Sequence, residues 1–379
     1  MTRSPSKLNT HSMRKVVLKL HRWIALIGGF FIVVLSLTGS IMAFEQEIDH
    51  LVHWKVTYVT EGSRMLSLAD ITAIVTRAFP GEAIRGYNIS TSREISYQVA
   101  TRKRTVFVNQ YNGEILGNMA EPDRLTKFLG DIHQLHLRLL IRSPRDPGKT
   151  IESWAGVAII FLSLSGLYLW WPLKRVTIEW NGPTLRRWFD LHNTAGFFSL
   201  VFLLILASTG TLIGFDETTT PLFFKITGSS PPPRFPRTSG PHTPETKPIT
   251  PDQAVEIART ALAGAAPFAI EVPGPNGVYF IRARFPEDLT PGGRSQIVID
   301  QYSGKVLFVQ GSRTAPAGAR MVTANRAIHT GDIFGFPTKI LMSAASLMAA
   351  VQLVTGVMMW WKRRAMSRRP NAQTASSIY

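Results

Sequence analysis

Four apolar runs constrain this chain more than any other feature. Ile24–Phe44, Trp154–Trp171, Thr194–Phe215 and Ile340–Trp361 are nearly free of charge. Each has the ~20 residues with which a helix crosses ~30 Å of hydrocarbon, so four transmembrane helices are expected. The first run follows basic residues, as a signal peptide does. It is too long for the apolar stretch of a signal and has no clean small-x-small cleavage site, so it reads as an anchor.

The charge supports a bilayer and argues against nucleic acid. The formal net charge is +17 over 379 residues, but the excess is gathered at the ends of the runs. Arg3, Lys7, Arg14, Lys15, Lys19 and Arg22 precede the first run. Lys174, Arg175, Arg186 and Arg187 separate the second from the third, and Lys362, Arg363, Arg364, Arg368 and Arg369 follow the fourth. In those three segments only Glu179 and Asp190 oppose them. Basic flanks on one side of a membrane mark the cytoplasm. Both termini and residues 172–190 are therefore expected inside. The long segments 45–150 and 216–337 are expected outside, in the periplasm of a bacterium. The absence of cysteine excludes disulfides, iron–sulfur clusters, thiolate metal sites and covalently attached haem.

The chain is internally duplicated. LHRWIALIGGFFIVVLSLTG, Leu20 to Gly39, answers to LHNTAGFFSLVFLLILASTG, Leu191 to Gly210, and SLSGLYLWWPLKR to QLVTGVMMWWKRR. The Trp170–Trp171 and Trp360–Trp361 pairs read as interfacial belt anchors. Each outer segment holds one helical pattern, SLADITAIVTRAFPG or ITPDQAVEIARTALAG, followed by short alternating stretches and a turn at Tyr111-Asn112-Gly113 or Tyr302-Ser303-Gly304. Each is expected to be a helix on a small antiparallel sheet. A Pro-rich, extended and mobile linker is expected between Ser229 and Pro251. The expected fold class is thus an α-helical membrane protein: four transmembrane helices in two pseudo-repeats with two small periplasmic α+β domains. The expected order is a cytoplasmic N-terminus (1–22), helix 1 (23–44), outer domain 1 (45–130), a His-containing segment (131–150), helix 2 (151–171) and a cytoplasmic loop (172–190). Helix 3 (191–215), outer domain 2 with the linker (216–325), a His-containing segment with helix 4 (326–361) and a cytoplasmic tail (362–379) complete it.

Nine histidines divide by position. His11 and His242 lie in polar stretches and read as solvated; His50 and His53 read as surface or interface residues. His21 and His192 both stand 18 residues before a Thr-Gly, at the cytoplasmic mouths of their helices. On the outer side, FLGDIHQLHLRLL carries His133 and His136, and ANRAIHTGDIFG carries His329. His136 fits the repeat better than His133. Paired imidazoles from two halves of a bundle suit axial ligation of b-type haem: His21 with His192, and His136 or His133 with His329. Small residues such as Gly28, Gly29, Gly39, Gly196 and Gly210 permit close approach to a flat cofactor. Arg22, Arg138, Arg187 and Arg326 are candidates for meeting propionates.

The same residues resemble a known family, the PepSY-associated transmembrane helix proteins found with siderophore and iron uptake. The likeness covers nearly the whole chain. It rests on LHRWIALIGGFFIVVLSLTG, YNGEIL, QYSGKVL, IHTGDIFG and SGLYLWWPLK. It implies PepSY-like outer domains and two b-type haems held by His21, His192, His136 and His329. It also implies an inner-membrane protein that carries electrons to a ferric hydroxamate siderophore of the ferrioxamine type. LHLRLLIRSPRDPGK is three residues longer than its counterpart, which leaves His133 open as a ligand. No GxGxxG follows a strand and opens a helix, and the cytoplasmic loops are too short for a flavin or nicotinamide domain. The donor must be a quinol or a separate cytoplasmic reductase. A homodimer is compatible with the sequence. Two rival readings are a non-redox siderophore or iron transporter and a binding or regulatory membrane protein. Against the first stand the small number of helices and the lack of carboxylates in the apolar runs; the second leaves the paired histidines without a role.

Overall fold

The apolar runs form the C-terminal parts of three long helices and the middle of a fourth. In the computed structural model, which describes residues 6–243 and 245–367, the chain forms eleven α-helices and eight strands among those residues. Arg3, Arg368 and Arg369 fall outside them, as does the side chain of His11. In chain order the elements begin with α1 (Ser6–Met42), α2 (Glu45–Val52), α3 (Trp54–Thr57), α4 (Leu68–Ala78), β1 (Ile84–Asn88), β2 (Tyr97–Thr101), β3 (Thr105–Val108) and β4 (Ile115–Met119). Then come α5 (Arg124–Arg138), α6 (Pro147–Trp170), α7 (Thr184–Gly214), α8 (Asp216–Ile226), α9 (Pro251–Ala261), β5 (Ala266–Glu271), β6 (Val278–Arg284), β7 (Ser295–Asp300) and β8 (Val306–Gln310). Last are α10 (Ala317–Thr330) and α11 (Phe336–Ser367). Among the described residues there are two compact units, the first drawn from 6–43, 131–216 and 328–367 and the second from 44–130 and 217–327.

The first unit is a helical bundle. Among the described residues, four helices are long and apolar enough to cross a membrane: α1 from Ser12, α6, α7 and α11. They pack in a ring in which α1 and α7 each touch α6 and α11. Each helix extends beyond its apolar run, and α1 continues unbroken through the basic N-terminal flank. Bulky side chains such as Ile27, Phe30, Phe198 and Val201 stay exposed on the bundle's outside, as lipid-facing residues must. Inside, the contacts are small and polar. Ser40 Oγ donates to the Ser343 carbonyl at 3.0 Å and Ser343 Oγ returns a bond to Ser40 at 3.2 Å, closing α1 on α11. Gly156 of α6 lies against Thr211 of α7, and Gly214 of α7 against Ser153 of α6. Small residues let backbones approach and hydroxyls bond across, which replaces the hydrophobic drive that lipid removes.

The basic flanks collect at one end of this bundle. Arg14 donates to the last-turn carbonyl of Leu169 at 2.9 Å. Asp190, 1% exposed, takes Arg186 at 3.1 Å and the backbone N–H of Glu179 at 3.2 Å. Trp171 and Trp361 are exposed there, with Lys174 over the Trp171 ring and Arg364 over Trp360.

The second unit corrects the expectation of two separate small sheets. Its eight strands form one antiparallel sheet in the order β4-β3-β2-β1-β5-β6-β7-β8. The two four-stranded repeats meet where β1 pairs β5, Tyr87 opposite Ile270. Each repeat would otherwise leave an open edge strand; the second copy closes it. α4 and α9 lie on one shared core that runs across the seam, with Ile71, Val75, Val99, Val106, Ile270, Ile281 and Ile297 all buried. Both helices start on a capping box, Ser67 with Asp70 and Thr250 with Gln253. In each QYxG turn the glutamine is buried and donates to two carbonyls: Gln110 to Arg93 and Ile95, Gln301 to Gly274 and Gly277. The linker is irregular, as expected, but it is anchored to the sheet. Ser239 Oγ donates to the carbonyl of Gly277, and the backbone N–H of Gly240 donates to Asp300 at 2.6 Å. His242 stacks on Tyr302 at 3.6 Å and is not simply solvated.

Candidate imidazole-pair site

Four of the five singled-out histidines belong to a repeated arrangement. His21 lies on α1 and His192 on α7. Their ring centroids are 6.4 Å apart with the planes at 82°. Two imidazoles on one metal, each with a metal–nitrogen bond of ~2.0 Å and ~1.1 Å from nitrogen to ring centre, bring the centroids to ~6.2 Å. The observed spacing fits a shared axial metal.

His136 lies in the last turn of α5 and His329 in the last turn of α10. Burial, and after it the neighbouring His329 and His133, pushes the His136 imidazole down to about 3, so the ring is neutral. The segment expected as one piece with helix 4 is broken after His329. Gly331 and Gly335 take positive φ, 78° and 71°, and separate α10 from α11. Glycine adopts that region without the penalty a Cβ imposes.

All four rings use Nδ1 in the same way. Nδ1 of His21 is 2.8 Å from Ser165 Oγ on α6, and Nδ1 of His136 is 2.8 Å from Thr38 Oγ1 on α1. Nδ1 of His192 is 2.9 Å from Thr355 Oγ1 on α11 and 3.1 Å from the carbonyl of Gln352. Nδ1 of His329 is 3.1 Å from Thr209 Oγ1 on α7 and 3.2 Å from the carbonyl of Leu206. Every spanning helix thus supplies one hydroxyl to one histidine. A second partner on Nδ1 that leaves Nε2 for metal is the usual outer shell of a histidine ligand. His133, one turn earlier on α5, does not share the hydroxyl of Thr38.

The four hydroxyls went unnoticed in the sequence, although the signal was present. Thr38, Ser165, Thr209 and Thr355 each precede a glycine whose place in the repeat was legible: Gly39, Gly166, Gly210 and Gly356. Each glycine lies against its histidine. A Cβ built there would sit 3.0 Å from Cε1 of His136 at Gly39, 3.6 Å from His21 at Gly166, 2.8 Å from His329 at Gly210 and 3.5 Å from His192 at Gly356. Gly196 instead faces the Gln352 side chain, whose Nε2 donates to the carbonyl of His192 at 2.9 Å.

Of the arginines expected near propionates, Arg138 is bound to Asp146 at 3.3 Å. Arg187 keeps its Nε buried without a hydrogen-bond partner, as do Trp188 at Nε1 and Asn193 at Nδ2, all within five residues of His192. Three donors left bare at the head of α7 suit the acceptor groups of an anionic cofactor. The apolar runs hold no carboxylate, but a helix that carries one of them does. α6 begins at Pro147, so a spanning helix does hold a carboxylate: Glu152 is 7% exposed, with both oxygens buried and unpartnered. His53, read as a surface or interface residue, bridges Asp49 at 3.0 Å and Asp123 at 2.6 Å. Among the described residues no group of three or more His, Asp or Glu stands together as a metal site; a pair of axial imidazoles needs none.

The sequence matches the family model of the PepSY-associated TM region over residues 18–363. No curated protein matches it.

Proposed function

The chain belongs to the family of the PepSY-associated TM region and is an α-helical membrane protein with a sheet-bearing unit, and from that premise we propose that it is a di-haem ferric-siderophore reductase of the bacterial inner membrane. The observation that carries this is the His21–His192 pair, spaced for one metal, together with four imidazoles that each commit Nδ1 to the bundle. His21 and His192 hold one b-type haem and His136 and His329 the other; His133 is left out. When bound, such a group would supply one-electron transfer.

The chain's own residues hold the imidazoles fixed, each by a hydroxyl beside Nδ1. Arg187, Trp188 and Asn193 offer donors to a carboxylate edge. The substrate is Fe(III) in a hydroxamate cage of the ferrioxamine type. Hard oxygen donors hold ferric iron far better than ferrous, so one electron loosens the chelate. That electron comes from a quinol or a separate cytoplasmic reductase. In this reading both termini and 172–190 lie in the cytoplasm and the sheet unit in the periplasm; the gathered basic residues support it.

The test is the absorption spectrum of the detergent-purified protein, oxidised and dithionite-reduced, with haem counted by pyridine haemochrome. A sharp reduced α-band and two b-type haems per chain are expected. A protein that stays colourless after expression with added haem overturns the proposal.

Glu152 favours a second reading, cation-coupled transport, because an unpartnered carboxylate in a spanning helix marks ion or proton pathways. Glu152→Gln separates the two. It leaves haem content and reduction of the chelate unchanged under the first reading. Under the second it abolishes uptake into proteoliposomes.

A further inference from the structure

We propose that Thr38, Ser165, Thr209 and Thr355 are positioning residues that fix the tautomer of the four histidines, so that each presents Nε2, and only Nε2, as a ligand. This rests on the di-haem reading and names residues that reading does not require.

The argument is a count of protons. A serine or threonine hydroxyl has one proton to give. Here each gives it to its own helix, four residues back: Thr38 to the carbonyl of Val34 at 2.5 Å, Ser165 to Phe161 at 2.6 Å, Thr209 to Ile205 at 2.7 Å and Thr355 to Val351 at 2.8 Å. What remains for the imidazole is lone pairs. In that arrangement Nδ1 carries the proton and donates it. The carbonyls of Gln352 and Leu206 impose the same direction on His192 and His329, since a carbonyl only accepts. A neutral imidazole protonated on Nδ1 has its lone pair on Nε2. The glycine after each hydroxyl completes the cradle: with no Cβ, the ring edge at Cε1 rests on the helix backbone. The pattern is a Ser/Thr-Gly step, written once in every spanning helix.

The two halves differ in a way that makes the claim testable. Among the described residues the Nδ1 groups of His21 and His136 have one acceptor each, the hydroxyl. His192 and His329 have a hydroxyl and a carbonyl. Loss of the hydroxyl leaves the first two with a bare donor and the last two with a remaining partner.

The experiment uses the full-length protein in detergent. Ser165→Ala and Thr38→Val are expected to weaken haem retention by ~10-fold or more, the scale of outer-shell changes at metal sites. They should also raise the midpoint potential of the affected haem and move its low-spin ferric EPR signal. Thr355→Val and Thr209→Val should do each of these less, and Ser165→Thr and Thr38→Ser should behave as wild type. In haem-free protein carrying 15N-labelled histidine, the ring nitrogens should show the Nδ1-protonated tautomer, with Ser165→Ala and Thr38→Val shifting a ring toward the other form. If Ser165→Ala does not accumulate, the isosteric Thr38→Val answers the same question at the other pair. A wild type with two haems whose four variants keep its retention, potential and EPR signal overturns the inference alone. A wild type without haem overturns the functional reading instead.

Discussion

The two imidazole pairs are built by different means. His21 and His192 lie on α1 and α7, so helices that span the bundle carry them directly. Their glycines, Gly166 and Gly356, leave 3.6 Å and 3.5 Å to the ring, ordinary contact distances. His136 and His329 sit at the ends of α5 and α10, which lie outside the four spans. Their glycines, Gly39 and Gly210, leave only 3.0 Å and 2.8 Å. One pair inherits its geometry from the bundle. The other sits at the ends of two helices that are not spans, and its glycines leave less room.

The strongest way to break this comparison is to remove a ligand from each pair. His192→Ala and His329→Ala should each take the protein from two haems per chain to one, with different reduced α-band maxima remaining. His133→Ala should retain both. A single-haem His133→Ala protein would move the ligand one turn along α5 and remove Thr38 from its role.

The next effect sharpens the difference in slack. At Gly210 an added methyl meets His329 closer than carbon atoms normally approach, whereas at Gly356 it fits. Overpacking of this kind costs ~1–3 kcal/mol. Gly210→Ala should therefore lower retention of one haem, while Gly356→Ala leaves both in place. Equal loss from the two variants, read as haem per chain after gel filtration, would show the pairs to be equally constrained.

Much of this was legible in the sequence. Apolar run length indicated the four spans, and the repeat matched His21 to His192, whose rings do lie near each other, and His136 to His329. Two features were not. Strand pairing across the seam depends on Tyr87 meeting Ile270, far apart in sequence, and no local pattern announces which edge strand finds its copy. The hydroxyls were hidden for a different reason. Ser and Thr are common inside spanning helices as back-bonding residues, so Thr38 or Ser165 carries no signal until a ring is seen beside it. Glu152 falls inside the expected helix 2 but ahead of its apolar run, so a search for carboxylates in the runs passes over it; the helix itself starts after its cap, Asp146, which accepts from the Lys149 N–H.

The smallest expected effect belongs to the seating of α5. Asp123 accepts from the Thr126 N–H at 2.8 Å, capping that helix, and also holds His53 at 2.6 Å. Bonding to Asp123, with Asp49 adding its charge, raises the His53 imidazole above its usual value. The Thr126 N–H and His53 draw the Asp123 carboxyl down to about 2. The signs set a window. A raised histidine stabilises below its unfolded pKa of ~6.5 and loses that contribution as pH rises through the folded value. A lowered aspartate stabilises above its unfolded ~3.9 and loses it only as pH falls toward 2. The clasp is complete between those limits and opens on the alkaline side. Amide exchange in the first turns of α5, followed from pH 6 to 9, should speed up in wild type relative to His53→Gln by roughly two- to fivefold, the scale of an exposed ion pair. Retention of the His136–His329 haem should weaken over the same range while the His21–His192 haem stays flat. A pH response shared by both haems, or one that persists in His53→Gln, would place the sensitivity in the bundle and leave α5 no special dependence on its cap.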